Sequence, residues 1–216
     1  MIKNKTLEES FLTTKLIMIL RNIQPDKTEA VTDALLAAGV SLFEITMNSP
    51  SALNEINNCK KKYDGKIYIG AGTVLNKKDA KAAGEAGAEF IVTPNTDRQV
   101  IEYCAANGLP CFPGAMTPTE IALAMDYGAK FIKIFPASSL GPKYIKELTG
   151  PFNRARFVAV GGINADNAKE FINAGCVGVG AGGGILNAEL IKKERFDEIT
   201  ALTKKMLDAL LLADFL

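Results

Sequence analysis

Two ionisable side chains lie inside apolar runs of this sequence, where a charged group is costly unless it has a partner or a task. Lys133 stands in FIKIFPASS, and Glu44 stands in SLFEITM. In a strand, alternation places Phe131, Lys133 and Phe135 on one face. An ammonium beside two phenylalanines is poorly solvated, so its pKa should fall, and the neutral amine can attack a carbonyl carbon to form an imine. Lys133 is therefore the candidate nucleophile.

Glu44 could supply the complementary chemistry from a second strand, where it shares a predicted face with Leu42 and Thr46. Iminium chemistry needs a base that removes a proton near the imine and an acid that protonates the leaving oxygen. One carboxyl group can serve both needs in turn. Two structural interpretations stay open: a lysine that reaches solvent from its strand end, and a buried Glu44–Lys133 ion pair without chemistry.

The absence of histidine from the sequence narrows the chemistry further. It excludes Ser-His-Asp and Cys-His nucleophile systems, HExxH sites and histidine-bound zinc or copper. The four cysteines show no CxxC pair and no metal-ligand spacing. Acid–base work near neutral pH must then use a carboxyl group, a lysine, a tyrosine or a cysteine, which favours the lysine and glutamate above.

The elements that must position these residues are eight short apolar runs that alternate with helical patterns. A strand followed by one helix implies parallel pairing, so the predicted fold class is α/β, a (β/α)8 TIM barrel forming a single domain over residues 1–216. An extra N-terminal helix is predicted at Leu7–Leu12, and an open doubly wound sheet is the alternative fold. The predicted strands are Ile17–Leu20, Ser41–Thr46, Ile67–Gly70, Phe90–Thr93, Leu109–Phe112, Phe131–Phe135, Phe157–Val160 and Cys176–Val179, and the clearest helices are Lys27–Ala38, Asp79–Ala86, Pro118–Tyr127 and Pro142–Leu148.

Residues at the ends of these strands carry the most functional weight, because such barrels place their sites there. Arg21 follows the first strand, where a guanidinium could hold a carboxylate or a phosphate. Thr73 follows the third strand, and Gly70 and Gly72 before it would let a ligand approach the backbone closely. Pro94 follows the fourth and would shape the wall. A solvated arginine and simple turns are the alternatives.

Two glycine clusters follow the last two strands, where barrels of this kind usually bind phosphate. They are Gly161-Gly162 and the run that contains Gly182 and Gly183. Glycines free backbone N–H groups to point at an anion, and a short helix after Gly184 would add its positive end. Two such clusters at the expected positions predict a phosphate site.

The charge balance excludes several other classes of function. Lys and Arg total 25 against 24 for Asp and Glu, which leaves no field of one sign to attract nucleic acid or an acidic membrane. No stretch is long and apolar enough to span a bilayer, and acidic residues occupy the N-terminal region where a signal peptide needs its apolar core. We expect a cytoplasmic protein that binds neither nucleic acid nor membranes.

Together these residues resemble the 2-dehydro-3-deoxy-phosphogluconate (KDPG) and 4-hydroxy-2-oxoglutarate (KHG) aldolase family. The similarity runs from IMILR to GVGAGGG, with FEIT, IGAGTVL, FIVTPN, PGAMTPTE, KIFPAS, GPKYIK, GPF and AVGGIN in the family's order. The resemblance implies a homotrimer that needs neither metal nor cofactor. It also implies a Schiff-base lysine at Lys133, an acid/base at Glu44, pyruvate contacts near Thr73, packing by Pro94 and Phe135, and phosphate contacts at Gly161, Gly162, Gly182 and Gly183.

Three departures from the family pattern bear on the substrate. Asn48 stands where many members have an arginine for the pyruvate carboxylate, and the resemblance transfers that role to Arg21. Val160 and Gly183 stand where a threonine and a phosphate-binding serine are frequent. Asn48-Ser49-Pro50, Arg21 and Val160 also look like the branch that acts on 2-dehydro-3-deoxy-6-phosphogalactonate (KDPGal), which differs in the stereochemistry of one hydroxyl.

The predicted function is that of a class I aldolase acting on a small sugar-acid phosphate. The first substrate expected is 2-dehydro-3-deoxy-6-phosphogluconate, cleaved to pyruvate and glyceraldehyde 3-phosphate, with 4-hydroxy-2-oxoglutarate, cleaved to pyruvate and glyoxylate, as a further substrate. The alternatives are KDPGal as substrate, a barrel isomerase or epimerase that binds phosphate without a covalent step, and a sugar-phosphate binding protein without catalysis.

Overall fold

The computed structural model describes residues 5–212, which form an α/β barrel. Within this range nine parallel strands form one sheet in the order β5-β4-β3-β2-β1-β9-β8-β7-β6. The strands are β1 (Leu16–Leu20), β2 (Leu42–Thr46), β3 (Tyr68–Gly72), β4 (Phe90–Val92), β5 (Cys111–Phe112), β6 (Gly114–Ala115), β7 (Phe131–Ile134), β8 (Arg156–Val160) and β9 (Cys176–Ala181). The helices are α1 (Leu7–Thr14), α2 (Pro25–Ala38), α3 (Ala52–Tyr63), α4 (Lys77–Glu85), α5 (Arg98–Ala106), α6 (Pro118–Asp126), α7 (Ala137–Thr149), α8 (Ala168–Asn173), α9 (Ala188–Lys192) and α10 (Phe196–Leu211).

The two edge strands of this sheet are neighbours in the chain, so the sheet nearly closes on itself. Only Pro113 separates β5, which pairs with β4, from β6, which pairs with β7. Proline has no N–H to give to a ladder, but its carbonyl accepts a hydrogen bond of 2.9 Å from Lys133 N. The predicted strand Leu109–Phe112 is therefore corrected: pairing begins at Cys111 and is interrupted at the proline.

Local sequence signals set the helix boundaries. Thr6 and Glu9 form a capping box before α1, and Thr117 and Glu120 form another before α6. The predicted helix Pro142–Leu148 is longer in the structure, because a turn of helix from Ala137 joins it across a kink at Gly141, where φ is +79°. Among the described residues, no helix combines the length and the apolar character needed to cross a membrane.

Side chains alternate between two apolar layers along each strand, as the sequence predicts. Phe131 and Phe135 pack in the barrel interior, whereas Ile132 and Ile134 pack in the layer between sheet and helices. In β2, Leu42 belongs to the interior, and Phe43 and Ile45 belong to the outer layer. Lys133 and Glu44 lie on the inward-facing positions of their strands, and both are buried.

Aromatic rings close the end of the barrel where the strands begin. The ring of Phe11, from α1, meets those of Phe112 and Phe131 edge-on at 5.5 and 5.4 Å. Phe112 also stacks on Phe131 at 4.8 Å. A Cβ at Gly178 would lie 2.4 Å from the Phe11 ring, so the glycine makes room for this contact. The opposite end of the barrel is left for polar groups.

Candidate active site

Lys133 and Glu44 face the interior from different strands. Lys133, in β7, lies between Gly114 of β6 and Val158 of β8. Glu44, in β2, is flanked by Ile19 on β1 and by a glycine on β3. The side chains are only 4% and 2% exposed, which excludes the interpretation of Lys133 as a lysine that reaches into solvent.

The carboxylate of Glu44 occupies space that Gly72 leaves open. A Cβ at position 72 would lie 1.7 Å from Glu44 Oε1 and 2.3 Å from its Cδ. A Cβ at Gly70 would likewise lie 2.4 Å from the Phe90 ring. The expectation that these glycines let a ligand approach the backbone is corrected, because each makes room for a protein side chain.

The pKa values of the two groups shift in opposite directions. Burial lowers the pKa of the Lys133 amine; the Glu44 carboxylate opposes this shift and the Arg21 guanidinium adds to it. Burial raises the pKa of Glu44, against the effects of Lys133 and Arg21. Within residues 5–212, neither side chain has a hydrogen bond or a direct ion pair, which disfavours a purely structural pair. Both shifts favour a neutral amine beside a protonated acid.

Phe135 covers the amine with apolar surface. The Nζ of Lys133 lies 4.8 Å from the centroid of this ring. Phe131, the other predicted flanking ring, lies deeper and stacks on Phe112. Phe135 also lines a cavity of about 410 Å³ at the end of the barrel where the strands finish. The ring therefore separates the amine from a larger space that a substrate could enter.

This cavity brings together six of the residues predicted to bind substrate, which are Arg21, Phe135, Gly161, Gly162, Gly182 and Gly183. Arg21 is exposed, and its guanidinium has no hydrogen bond or ion pair with any residue from 5 to 212. The cavity thus combines a cation that has no hydrogen bond or ion pair within residues 5–212 with two glycine turns, which suits an anionic ligand.

The glycine turns offer backbone donors to this cavity. In the described chain, the N–H groups of Gly162, Gly183 and Gly184 donate to no protein acceptor. The short helix predicted after Gly184 is present as α9, but a turn comes first, closed by the N–H groups of Ile185 and Leu186 on the carbonyl of Gly182. The helix begins only at Ala188, and the preceding Asn187 side chain caps it. Backbone amides of the two turns, rather than a helix end, are therefore the groups left free to donate in this cavity.

Thr73 and Pro94 lie in the loops after β3 and β4, outside the lining of that cavity. Thr73 has φ +54°, a conformation that β-branched residues rarely adopt and that costs about 1–3 kcal/mol. A Cβ at Gly114 would lie 2.3 Å from the backbone of Pro94. Because Gly114 pairs with Lys133, this packing brings the Pro94 loop beside the strand that carries the amine.

The sequence pattern alone leaves open which groups Gly72 and Gly114 accommodate. Gly72 is the last residue of β3 and Gly114 is the first residue of β6, and a glycine in a strand often marks a close approach of another group. Their partners, Glu44 and Pro94, come from other parts of the chain, so the pattern indicates that space is needed without showing what fills it.

The comparison with known families agrees with this geometry. The family model for KDPG and KHG aldolases matches residues 7–202 of the chain. The chain belongs to the KDPG and KHG aldolase family. It is therefore an aldolase, an enzyme of the lyase class, as the motifs indicate.

Two curated relatives cover nearly all of this aldolase. It is 38% identical over 196 residues to the 2-dehydro-3-deoxy-6-phosphogalactonate aldolase of Escherichia coli K12, a match that spans 90% of this chain and 95% of the relative. It is 31% identical over 206 residues to the KHG/KDPG aldolase of the same organism, spanning 94% and 96% of the two chains.

Solved structures of relatives have the same fold. The native KDPGal structure superposes with a TM-score of 0.86 at 36% identity, covering 92% of this aldolase and 95% of that chain. The KDPG aldolase of Legionella pneumophila superposes with a TM-score of 0.87 at 25% identity, covering 94% and 98%. In that relative pyruvate was captured as a covalent carbinolamine intermediate.

Proposed function

We propose that this aldolase forms a Schiff base between Lys133 and the ketone of its substrate and releases pyruvate. The observation that carries the proposal is the buried amine of Lys133, which has no hydrogen bond or ion pair within residues 5–212 and whose pKa is lowered by burial. It lies on the same interior as the buried carboxyl group of Glu44. A neutral amine in apolar surroundings attacks a carbonyl carbon, which a solvated ammonium does not. No other function considered uses both groups.

The directions of both pKa shifts favour the uncharged pair from which a complete cycle can start. Neutral Lys133 adds to the C2 ketone, and protonated Glu44 gives its proton to the departing hydroxyl, so water leaves and an iminium forms beside a carboxylate. Glu44 then takes the C4 hydroxyl proton as the C3–C4 bond breaks, and the bond electrons pass to the iminium to give an enamine and a free aldehyde. Glu44 returns the proton to C3. Water then hydrolyses the resulting iminium to pyruvate and the free amine, and the proton released in this step goes back to the Glu44 carboxylate.

The remaining predicted site residues bind the two ends of the substrate in this proposal. Arg21 holds the carboxylate next to C2, Thr73 contacts the pyruvate portion, and Pro94 and Phe135 pack against it. The amides of Gly161, Gly162, Gly182 and Gly183 bind the phosphate. We further propose a homotrimer that works without metal or cofactor. Light scattering of the purified protein tests the trimer, and full activity after dialysis against a chelator tests the absence of a metal.

For the architecture, we propose that β5 and β6 act as one barrel strand interrupted at Pro113. The whole chain, 1–216, is then a single (β/α)8 aldolase domain with α1 as an additional N-terminal helix. The hydrogen bond from Lys133 N to the Pro113 carbonyl supports this arrangement, because it continues the ladder across the break. A crystal structure in which β6 separates from β5 would contradict it.

The substrate is proposed to be a 2-dehydro-3-deoxy-6-phospho-sugar acid. The first expectation from the sequence was the gluconate epimer, with 4-hydroxy-2-oxoglutarate as a further substrate. The higher identity to the KDPGal aldolase, 38% against 31%, favours the galactonate epimer instead. Arg21 and Val160 both line the cavity and support the same choice. Values of kcat/KM for both epimers, with and without phosphate, test it, and a preference for gluconate would reverse it.

Reductive trapping tests the covalent step. Incubation with pyruvate and borohydride should add one reduced pyruvyl group, and peptide mass spectrometry should find it on Lys133. Lys130, an exposed lysine on the same segment, serves as the internal control and should stay unmodified. An adduct on another lysine, or cleavage activity that borohydride leaves untouched, would refute the mechanism and favour the non-covalent isomerase.

A further inference from the structure

A short chain of hydrogen bonds joins the loops that follow β1 and β2. The N–H of Asn22 donates to Ser49 Oγ at 2.8 Å, and Ser49 Oγ shares a hydrogen bond of 2.8 Å with Thr46 Oγ1. The N–H of Ser49 also donates to the carbonyl of Thr46 at 2.9 Å. Thr46 is fully buried at the end of β2, two residues after Glu44. The chain therefore connects the first loop to a strand of the barrel.

Asn22 is the residue whose conformation this connection holds. Its φ is +54°, a left-handed conformation that a residue other than glycine adopts at a cost. It directly follows Arg21, whose guanidinium is exposed and has no hydrogen bond or ion pair within residues 5–212. Because no such bond fixes the arginine, its direction depends strongly on the backbone of the residue beside it.

We propose that Ser49 is a positioning residue for Arg21. Its hydroxyl holds the loop after β1 so that the guanidinium faces the cavity and meets the carboxylate of the pyruvate portion. This inference rests on the carboxylate role proposed for Arg21. Ser49 acts on binding and not on bond cleavage, since its hydroxyl bonds to Asn22 and Thr46 and not to Lys133 or Glu44.

Borohydride trapping with two probes tests the proposal, namely pyruvate and its neutral amide, pyruvamide. Ser49→Ala should raise the half-saturating concentration of pyruvate about 10-fold, because the free energy of roughly one hydrogen bond that aligns Arg21 is lost. The half-saturating concentration of pyruvamide and the limiting trapping rate should both stay unchanged. Ser49→Thr keeps the hydroxyl and should restore pyruvate binding.

Ser51→Ala is the matched control. Ser51 lies in the same loop, is exposed, has φ +56°, and its side chain makes no capping hydrogen bond. The substitution is chemically identical to Ser49→Ala and should leave both probes unaffected. Thr46→Val breaks the same hydrogen-bonded chain at its other end with a side chain of equal size. It should also weaken pyruvate binding selectively, and it gives a second measurement if Ser49→Ala unfolds.

A double-mutant cycle with Arg21→Ala decides the outcome. In the Arg21→Ala background, Ser49→Ala should have no further effect on pyruvate, because the residue it positions is gone. Additive losses, or equal losses for pyruvate and pyruvamide, would overturn the proposal. The inference also fails if Arg21→Ala itself leaves pyruvate binding unchanged. The Schiff-base mechanism is judged separately in the same samples, where continued trapping on Lys133 would support it.

Discussion

The two ends of the barrel are made from the same strands but are filled in opposite ways. Where the strands begin, Phe11, Phe90, Phe112 and Phe131 close the interior with ring centroids 4.8 to 5.8 Å apart. Where they finish, the interior holds buried ionisable groups and opens into the glycine-lined cavity. On β7 the change takes place within two residues, from Phe131 to Lys133.

This difference shows how a small barrel can be stable and reactive together. The closed end buries aromatic area, which stabilises the fold at about 25 cal/mol per Å². The open end carries costs instead: an unpaired amine, a buried carboxyl group and three non-glycine residues at positive φ in the loops after β1, β2 and β3, which are Asn22, Ser51 and Thr73. Substitutions at the two ends should therefore change different measured quantities.

The largest expected effect is at the open end. Lys133→Met should reduce aldol cleavage by at least about 10⁴-fold, because the covalent step is lost. The free energy of unfolding should change by no more than about 1 kcal/mol, since an apolar side chain of similar length replaces a buried amine. Pyruvate release and urea denaturation measure the two quantities. A large loss of stability would show that the amine is structural.

At the closed end, Phe112→Ala should cost about 3–5 kcal/mol of unfolding free energy. The ring contacts three other phenylalanines, and its removal leaves a cavity between them. The kcat of the molecules that remain folded should stay within about 3-fold of the wild-type value, because effects of distant sites are nearly independent. Phe152→Ala, at a half-buried ring of the outer layer, is the control and should cost less. Loss of kcat with Phe112→Ala would contradict the separation of the two ends.

A pH profile sharpens the comparison within the open end. The rate of imine formation should rise with pH through the pKa of Lys133, which burial places below 10.5. Glu44→Gln removes a carboxyl group whose ionised form favours the ammonium, so the midpoint should move to lower pH. Arg21→Ala removes a positive charge that disfavours it, so the midpoint should move to higher pH. Single-turnover trapping at a series of pH values measures both shifts, and movement in the same direction would contradict the assigned charges.

The smallest expected effect is a gain of binding at the glycine turns. Gly183 has an ordinary φ, and a Cβ there would meet no atom within 4 Å, so a serine fits without strain. Gly183→Ser should lower KM for a phosphorylated substrate about 3- to 10-fold through one added hydrogen bond to a charged group. It should leave an unphosphorylated analogue unaffected. Gly150→Ser, at another roomy glycine outside the cavity lining, is the control and should change neither. An equal gain for both substrates would argue against phosphate at this turn.

The sequence predicted the parts of this molecule that depend on local alternation. The inward face of Phe131, Lys133 and Phe135 follows from a period of two, and the cluster of Arg21 with the glycine turns follows from parallel strands that end together. The catalytic roles themselves stay predictions until trapping is done.

What the sequence did not predict depends on which residues of different strands face each other. The contact of Gly72 with Glu44 requires the register of β2 against β3, a long-range property that no single run of residues encodes. The break at Pro113 is likewise compensated from a neighbouring strand, by the hydrogen bond that Lys133 N donates to the proline carbonyl. The link from Asn22 through Ser49 to Thr46 is of the same kind.

The contact between Glu44 and Gly72 has a consequence for how this enzyme can change by mutation. Because the hydrogen atoms of Gly72 border the carboxylate, even a methyl group there must displace it. We therefore expect the two positions to change only together: in a library that randomises both, active clones should keep glycine at 72 whenever glutamate stays at 44. Active clones with alanine at position 72 should carry the shorter aspartate at position 44. They should be slower than the wild type, because the carboxyl group then lies one methylene further from the substrate.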